Sequence, residues 1–484
     1  LNWIFAIAFS LYILFGTIIA IVSRKRFEKT IQDYYTGGGR LGALLAAGTY
    51  AATTYSAFMM IGLVGMAYNT GVGALGFELT YLASTVFLLS TVGREIWKMS
   101  KERGWIAPSH MLSDLYNSRS LGILVSIVYL FAMIPYLTAQ IQGLKFVFGY
   151  GGIGESWALA FSATLVYAWI FVAGIWSVAA TDFYQGILML FSGLAYLAWT
   201  IFALTPSSGS SLGNVYEALG TKGYLGITGF WSIGTFLAYT LPWAFFAVTN
   251  PQVVSRLYLP KDRRSYVRMV GLFFAYGFIY TLIVITVGLI ARGLTFSPSI
   301  SKIIPNNLSN DSVTIYLLGL MAPVLGSTIA VSIIAASVST ANSIVLAVSG
   351  SVISSFLKKR DLLAARSIDA LLVIAAALLA KAGIGFIVDL SVITSMILLP
   401  LAPITIAGIA LRGKVGGIGK GSALASLAIG VSIAAYYAFS LGPKRAFLVQ
   451  VMGMPISALV LLVSTLILLA GLAVEKFYKI SSNS

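Results

Sequence analysis

Apolar runs of about 17 to 30 residues, separated by charged or Gly/Pro-rich breaks, recur from one end of the chain to the other. Each is long enough to cross about 30 Å of hydrocarbon as a helix. Thirteen can be marked off, at about 2–23, 41–68, 72–96, 120–148, 155–176, 181–204, 225–254, 266–293, 313–356, 367–383, 387–411, 421–440 and 450–475. The ninth is too long for a single helix, so a short helix is expected before Pro323 and a long one after it. The pattern predicts an all-α polytopic membrane protein.

Composition agrees: of 484 residues 58% are hydrophobic and 10% charged, which excludes a set of soluble domains. The 31 Lys and Arg exceed the 15 Asp and Glu by 16. In a soluble chain that excess would suggest nucleic acid; here the cations sit in short loops and report orientation instead. With the N-terminus outside, the inner loops hold Arg24, Lys25, Arg26, Lys29, Arg40, then Arg94, Lys98, Lys101, Arg103, Arg119, then Arg256, Lys261, Arg263, Arg264, Arg268. Lys358, Lys359, Arg360, Arg366, Arg412, Lys414, Lys420, Lys476 and Lys479 follow, so 24 of the 31 lie on one side. Lys145, Lys222, Arg292, Lys302, Lys381, Lys444 and Arg445 fall on the other or near outer helix ends. Inserting or deleting one span would scramble the bias, which therefore favours thirteen spans with the N-terminus outside and the C-terminus inside.

The first run leads directly into Arg24, Lys25 and Arg26 with no small-residue cleavage pattern, and is expected to be a retained span rather than a signal peptide. With no cysteine and only His110, disulfides, thiolate metal sites, Cys nucleophiles and His-rich centres are excluded together. His110 is expected on the surface of an inner loop. The longest polar connections, 205–224 and 294–312, leave no room for a soluble catalytic domain, and neither a Walker motif nor a nucleophile-base constellation is visible. The chain is thus read as no enzyme, and transport by it as secondary, unless a separate subunit drives it.

Polar residues enter the membrane at a few places. The second span carries small and hydroxylated residues from Gly48 to Ser56, a composition that serves close helix packing and equally permits unwinding where carbonyls are needed. The seventh carries Pro242 beside Trp243, then Thr249, Asn250, Pro251 and Gln252; two prolines remove two backbone donors, producing kinks or freed carbonyls. If spans 2 to 6 and 7 to 11 are two five-helix repeats, their topologies are opposite and these two helices are the first of each. In the ninth span Ser332, Ala336, Ser339 and Ser343 follow helical spacing, with Thr340 and Asn342 beside them. Such a stripe packs helices, but two hydroxyls with three carbonyls also make five oxygen ligands for a monovalent cation. Acids at depth are Glu78, Asp182 and Asp389; Asp182 after Thr181 is also placed to cap its helix, and Asp389 to pair with Lys381.

In order and spacing these segments resemble the sodium/solute symporter family, over nearly the whole chain. Asp33 to Gly42 (DYYTGGGRLG) is similar to the approach to the family's second helix; Ala51 to Ser56 (AATTYS) and Ile61 to Gly65 (IGLVG) resemble its ion-binding middle. Thr181 to Gly186 (TDFYQG) matches the Thr-Asp-x-x-Gln-Gly signature, Trp243 with Pro251 and Arg256 resembles the proline-transporter pattern, and Ala335 to Thr340 (AASVST) the Ser-Thr sodium stretch.

The resemblance implies a LeuT-type five-plus-five inverted repeat: 1–40 a peripheral helix and inner loop, 41–204 the first repeat, 205–224 an outer connection, 225–411 the inverted second repeat, 412–484 two peripheral helices. It implies a sodium site on the carbonyls of Ala52, Tyr55 and Ala336 and the hydroxyls of Ser339 and Thr340. A second sodium, known in some members, would draw on Thr54, Asp182, Ser339, Asn342 and Ser343, with Asn342 departing from the usual serine. Ser56, Met59, Glu78, Tyr81, Trp243, Ala247 and Asn250 are implied to line the solute. Met59 replaces a sugar-binding glutamine and Ala247 an aromatic of the proline transporters, so the solute is expected to be small and compact, an amino acid such as proline or a small carboxylate.

The expected function is sodium-coupled symport by alternating access in the cell membrane, with sodium as coupling ion and no other cofactor. The partners expected are the small organic solute, sodium and the lipid bilayer, and no nucleic acid; oligomeric state is not legible. The alternatives are a proton-coupled symporter using Glu78 or Asp182, and a channel or transporter-like sensor.

Overall fold

The computed structural model describes residues 2–296, 304–357, 361–383, 387–446 and 448–481; Lys302, Lys358, Lys359 and Arg360 lie outside the described residues. Helix α1 (Trp3–Ser23) starts on Asn2, whose side-chain oxygen accepts from the amides of Ile4 and Phe5. A short α2 (Ile31–Thr36) follows, then α3 (Ala43–Thr54) and α4 (Phe58–Thr70), which meet at a bend of 50°. Next come α5 (Gly73–Arg103), α6 (Pro108–Leu115), α7 (Arg119–Tyr150), α8 (Glu155–Ala173) and α9 (Ile175–Ser207). After α10 (Leu212–Thr221) the chain runs through three short pieces, α11 (Ile233–Ala244), α12 (Phe246–Thr249) and α13 (Pro251–Val254).

Asp262 then caps α14 (Arg263–Leu294): its carboxylate accepts the Ser265 amide at 2.7 Å, and that backbone hydrogen bond holds its pKa below the ordinary value. The remaining helices are α15 (Asn310–Leu320), α16 (Pro323–Phe356), α17 (Leu362–Lys381), α18 (Ile387–Leu398), α19 (Leu401–Ala410), α20 (Gly417–Leu441) and α21 (Ile456–Ser481).

Among the described residues ten helices are long and apolar enough to cross a membrane, and two bent pairs bring the number to twelve. Large apolar side chains such as Phe131, Phe202 and Leu371 stand exposed on the outside of the bundle, where lipid is their natural solvent. The protein is a multi-pass membrane protein. At its centre lies α16, whose most apolar window is wholly buried, packed against α7, α9 and α3. Helices α20 and α21 pair with each other at the periphery.

Several boundaries differ from those read in the sequence. The seventh run begins at Ile233 rather than 225, because Ser232 caps the helix there through the Thr235 amide. The sixth begins at Ile175 rather than 181: Gly174, at φ +55°, turns the chain between α8 and α9. Asp182 is therefore two turns inside α9 and caps nothing. The eleventh run is two helices, α18 and α19, bent by 46° just before Pro400 closes the joint. The thirteenth starts at Ile456, since 450–455 form a two-stranded antiparallel hairpin, β1 (Gln450–Val451) with β2 (Met454–Pro455), turning at Met452 and Gly453 with positive φ. His110 is half-buried in α6 rather than on a loop surface, its Nδ1 accepting from the Ile106 amide at 3.4 Å.

Candidate functional site

The two halves of the second span fail to join because Tyr55 leaves helical geometry, at φ −90° and ψ 86°, and the helix resumes only at Phe58. The last carbonyls of α3 then find partners on α16. Ser339 Oγ donates to the Ala52 carbonyl at 2.8 Å and lies 3.0 Å from the Ala336 carbonyl; Thr340 Oγ1 reaches the carbonyls of Ala52 at 3.3 Å and Thr53 at 3.0 Å. Four of the five expected sodium-ligating residues, Ala52, Ala336, Ser339 and Thr340, thus form one buried cluster, with Tyr55 at the break beside them. All these oxygens are neutral. If the two hydroxyl protons turn away, the same atoms present lone pairs to a hard monovalent cation, so the set fits sodium without a carboxylate.

The second expected set is not gathered in this way. Asp182 Oδ2 accepts from Thr49 Oγ1 at 2.6 Å, Arg256 Nε donates to Thr49 Oγ1 at 3.1 Å, and the guanidinium also donates to Ser343 Oγ. Ser343 Oγ lies 2.7 Å from Thr53 Oγ1. Arg256, expected as a loop cation, is 1% exposed, and its charge sits beside Asp182 and Ser343, where the second ion was expected. Asn342 faces α8, the end of its side-chain amide 2.7 Å from the Val166 carbonyl oxygen, to which it donates once the nitrogen is turned that way, while Thr54 Oγ1 is buried without a partner.

The expected solute residues are all buried, and several meet around Trp243. Its ring lies 5.0 Å from Phe58, 5.3 Å edge-on from Tyr81, 6.0 Å from Phe77 and 5.1 Å in a stack from Phe246. These rings come from α4, α5, α11 and α12, so the break in the second span, the third span and the broken seventh converge. Glu78 follows Phe77 on α5; its Oε2 is buried without a hydrogen-bond partner, as is Trp243 Nε1. Ser56 Oγ accepts from the Phe58 amide at 3.1 Å, and Asn250 Oδ1 from Thr249 at 2.9 Å, leaving Asn250 Nδ2 free of hydrogen bonds. Met59 and Ala247 are buried and offer only apolar surface.

Two groups escaped the sequence reading. Tyr136 and Gln140 stand one turn apart on α7, on a face continued by Gly143, where a Cβ would meet Ala57 at 3.0 Å and Ser337 Oγ at 3.2 Å. Both ends of the Gln140 amide are buried without partners. Their i, i+4, i+7 spacing in the fourth run was the available signal. Asp369 on α17 is a further acid at depth, accepting from Tyr34 on α2 at 2.8 Å. Asp33, also buried, accepts from Trp176 Nε1 at 3.0 Å and pairs with Arg40 at 2.7 Å. Asp389 lies in the first turn of α18, in electrostatic contact with Tyr239.

Comparison with known proteins gives a consistent picture. The model of the family described as sodium:solute symporter family matches residues 34–407. The sodium/pantothenate symporter of Haemophilus influenzae is 27% identical over 39% of this chain, and the aligned part spans 40% of that relative's length. The sodium/proline symporter of Staphylococcus aureus is 23% identical over 74% of this chain and 69% of its own. Among solved structures, a sodium-coupled sialic acid symporter in a substrate-bound outward-open state superposes with a TM-score of 0.78, at 16% identity, over 96% of this chain and 97% of that one. At such identity the likeness speaks for the fold, which is of the LeuT type.

Proposed function

The chain belongs to the sodium:solute symporter family, and we propose that it is a secondary active transporter coupling sodium entry to uptake of a small organic solute across the cell membrane. The observation that carries the proposal is the cluster in which the hydroxyls of Ser339 and Thr340 meet the carbonyls freed at the break between α3 and α4. Sodium there bridges two helices that move relative to each other in alternating access. Its ligands are Ala52, Tyr55, Ala336, Ser339 and Thr340, and its binding fixes the break next to which Ser56 and Met59 face the solute. A single ion is favoured, because Arg256 already neutralises the region of Asp182 and Ser343.

In this reading spans 2 to 6 and 7 to 11 form the two inverted repeats, 41–204 and 225–411, with thirteen spans, the N-terminus outside and the C-terminus inside. Ser56, Met59, Glu78, Tyr81, Trp243, Ala247 and Asn250 line a pocket for a compact solute, an amino acid such as proline or a small carboxylate. Binding of ion and solute is reciprocal, each tightening the other by the same factor. A potential of about 100 mV adds about 2.3 kcal/mol for each charge carried inward. The purified chain in proteoliposomes tests this: labelled L-proline or pyruvate is expected to accumulate under an inward sodium gradient and to equilibrate without one. Accumulation driven by a pH gradient alone, or flux that does not saturate, would contradict sodium symport.

A further inference from the structure

Glu78 is the anomaly of the solute pocket. It is 1% exposed at membrane depth, its Oε2 has no hydrogen-bond partner, and among the described residues no Lys or Arg forms an ion pair with it. An ionised carboxylate in such a place costs several kcal/mol, so Glu78 either takes a proton or is joined by a positive charge. Its surroundings suit one kind of guest. Tyr55, Tyr81 and Tyr136 lie within its electrostatic reach; the Tyr55 hydroxyl is buried without a partner, while those of Tyr81 and Tyr136 stand near Thr85 and Ser56 without a well-formed hydrogen bond. On the same helix Phe77 and Tyr81 turn toward Trp243, which Phe58 and Phe246 flank. Aromatic faces carry a negative quadrupole potential and attract desolvated cations. A carboxylate without an amine would meet repulsion from the ring faces, and from Glu78 wherever that carboxyl is ionised.

We propose that the transported solute carries a positively charged amine, which Glu78 pairs and the rings around Trp243 enclose. The inference rests on the solute-pocket reading above and narrows it: amine-bearing solutes enter, and carboxylates that lack an amine do not. The free donors at Trp243 Nε1, Gln140 and Asn250 are then available to the solute's neutral or anionic end.

The test isolates the charge by pairing each probe with an isostere that lacks it: L-proline with cyclopentanecarboxylate, glycine betaine with 3,3-dimethylbutanoate, choline with 3,3-dimethylbutanol. Thermal stabilisation of the purified chain is measured for all six in sodium and in potassium. In sodium, at least one amine is expected to bind at least about tenfold more tightly than its isostere. Glu78→Gln is expected to remove at least about tenfold of that affinity while leaving the stabilisation by sodium alone in place. No amine of the panel binding, or every amine that binds being matched by its isostere, overturns the inference, and the wild-type pairs decide this even if the variant does not fold. Discrimination for the amine that persists equally in potassium supports the inference and rejects sodium coupling instead, so the two readings fail separately.

Discussion

Arg256 donates to Thr49 and Ser343, and Thr49 in turn donates to Asp182, so a guanidinium and a carboxylate share one buried hydroxyl. Neither charge is tolerable alone. Removing one partner of a buried ion pair costs about 3–5 kcal/mol, and with Thr49 between the charges Arg256→Ala is expected near the lower end of that range. Adding Asp182→Asn should recover at least half of the loss, because the stranded acid goes with it. Unfolding of the two single variants and the double variant measures the coupling; a double variant no more stable than Arg256→Ala would show the charges to be independent. From the sequence, Arg256 looked like one more inner-loop cation, because charge patterning counts residues along the chain and says nothing of how deep a long side chain reaches back. Ser339 and Thr340 could be marked in advance as part of a small, hydroxylated stripe because short side chains on a buried helix cannot reach far, and both do meet the last carbonyls of α3. Asp369 stood in plain view within the tenth run and was passed over; its role emerges only through Tyr34, over 300 positions away in the chain.

At the scale of elements, the breaks were predicted better than the boundaries. Prolines and small hydroxylated residues placed breaks in the second and seventh spans, and these occur at Tyr55 to Ala57, at Phe245 and at Asn250. The bend between α18 and α19 was missed although Pro400 stands at it, because the apolar run continues across it without a change of composition. Glycines of the second span serve packing as well as flexibility. A Cβ at Gly48 would stand 2.9 Å from the Phe183 Cα of α9, and one at Gly65 would run into the Asn310 carbonyl oxygen of α15. That neighbour is backbone and cannot turn aside, so Gly65→Ala must push α4 and α15 apart. The expected cost is about 1–3 kcal/mol, read as a lowered melting temperature. Gly271→Ala on α14, where a Cβ meets nothing within 4 Å, is the matched control and should be neutral or stabilising. Equal effects of the two would remove the packing role assigned to Gly65.

For the whole molecule, the all-helical, many-span architecture was readable because lipid leaves the chain few choices, each apolar run having to satisfy its own backbone; the count was less so, thirteen runs against ten spanning helices and two bent pairs among the described residues. What lay beyond the sequence is how those helices converge. The freed carbonyls of α3, the hydroxyls of α16 and the rings of α5 and α11 come from positions up to about 290 residues apart, joined by packing rather than by any local motif. In the proposed function that convergence would couple the two sites: an ion held between α3 and α16 would sit beside the break at Tyr55, next to the residues proposed to face the solute. The most direct test is the sodium dependence of solute uptake by proteoliposomes carrying Ser339→Ala with Thr340→Ala. The account predicts that the half-saturating sodium concentration rises at least about tenfold and that solute affinity weakens with it; an unchanged sodium dependence would contradict the ion site and the coupling built on it.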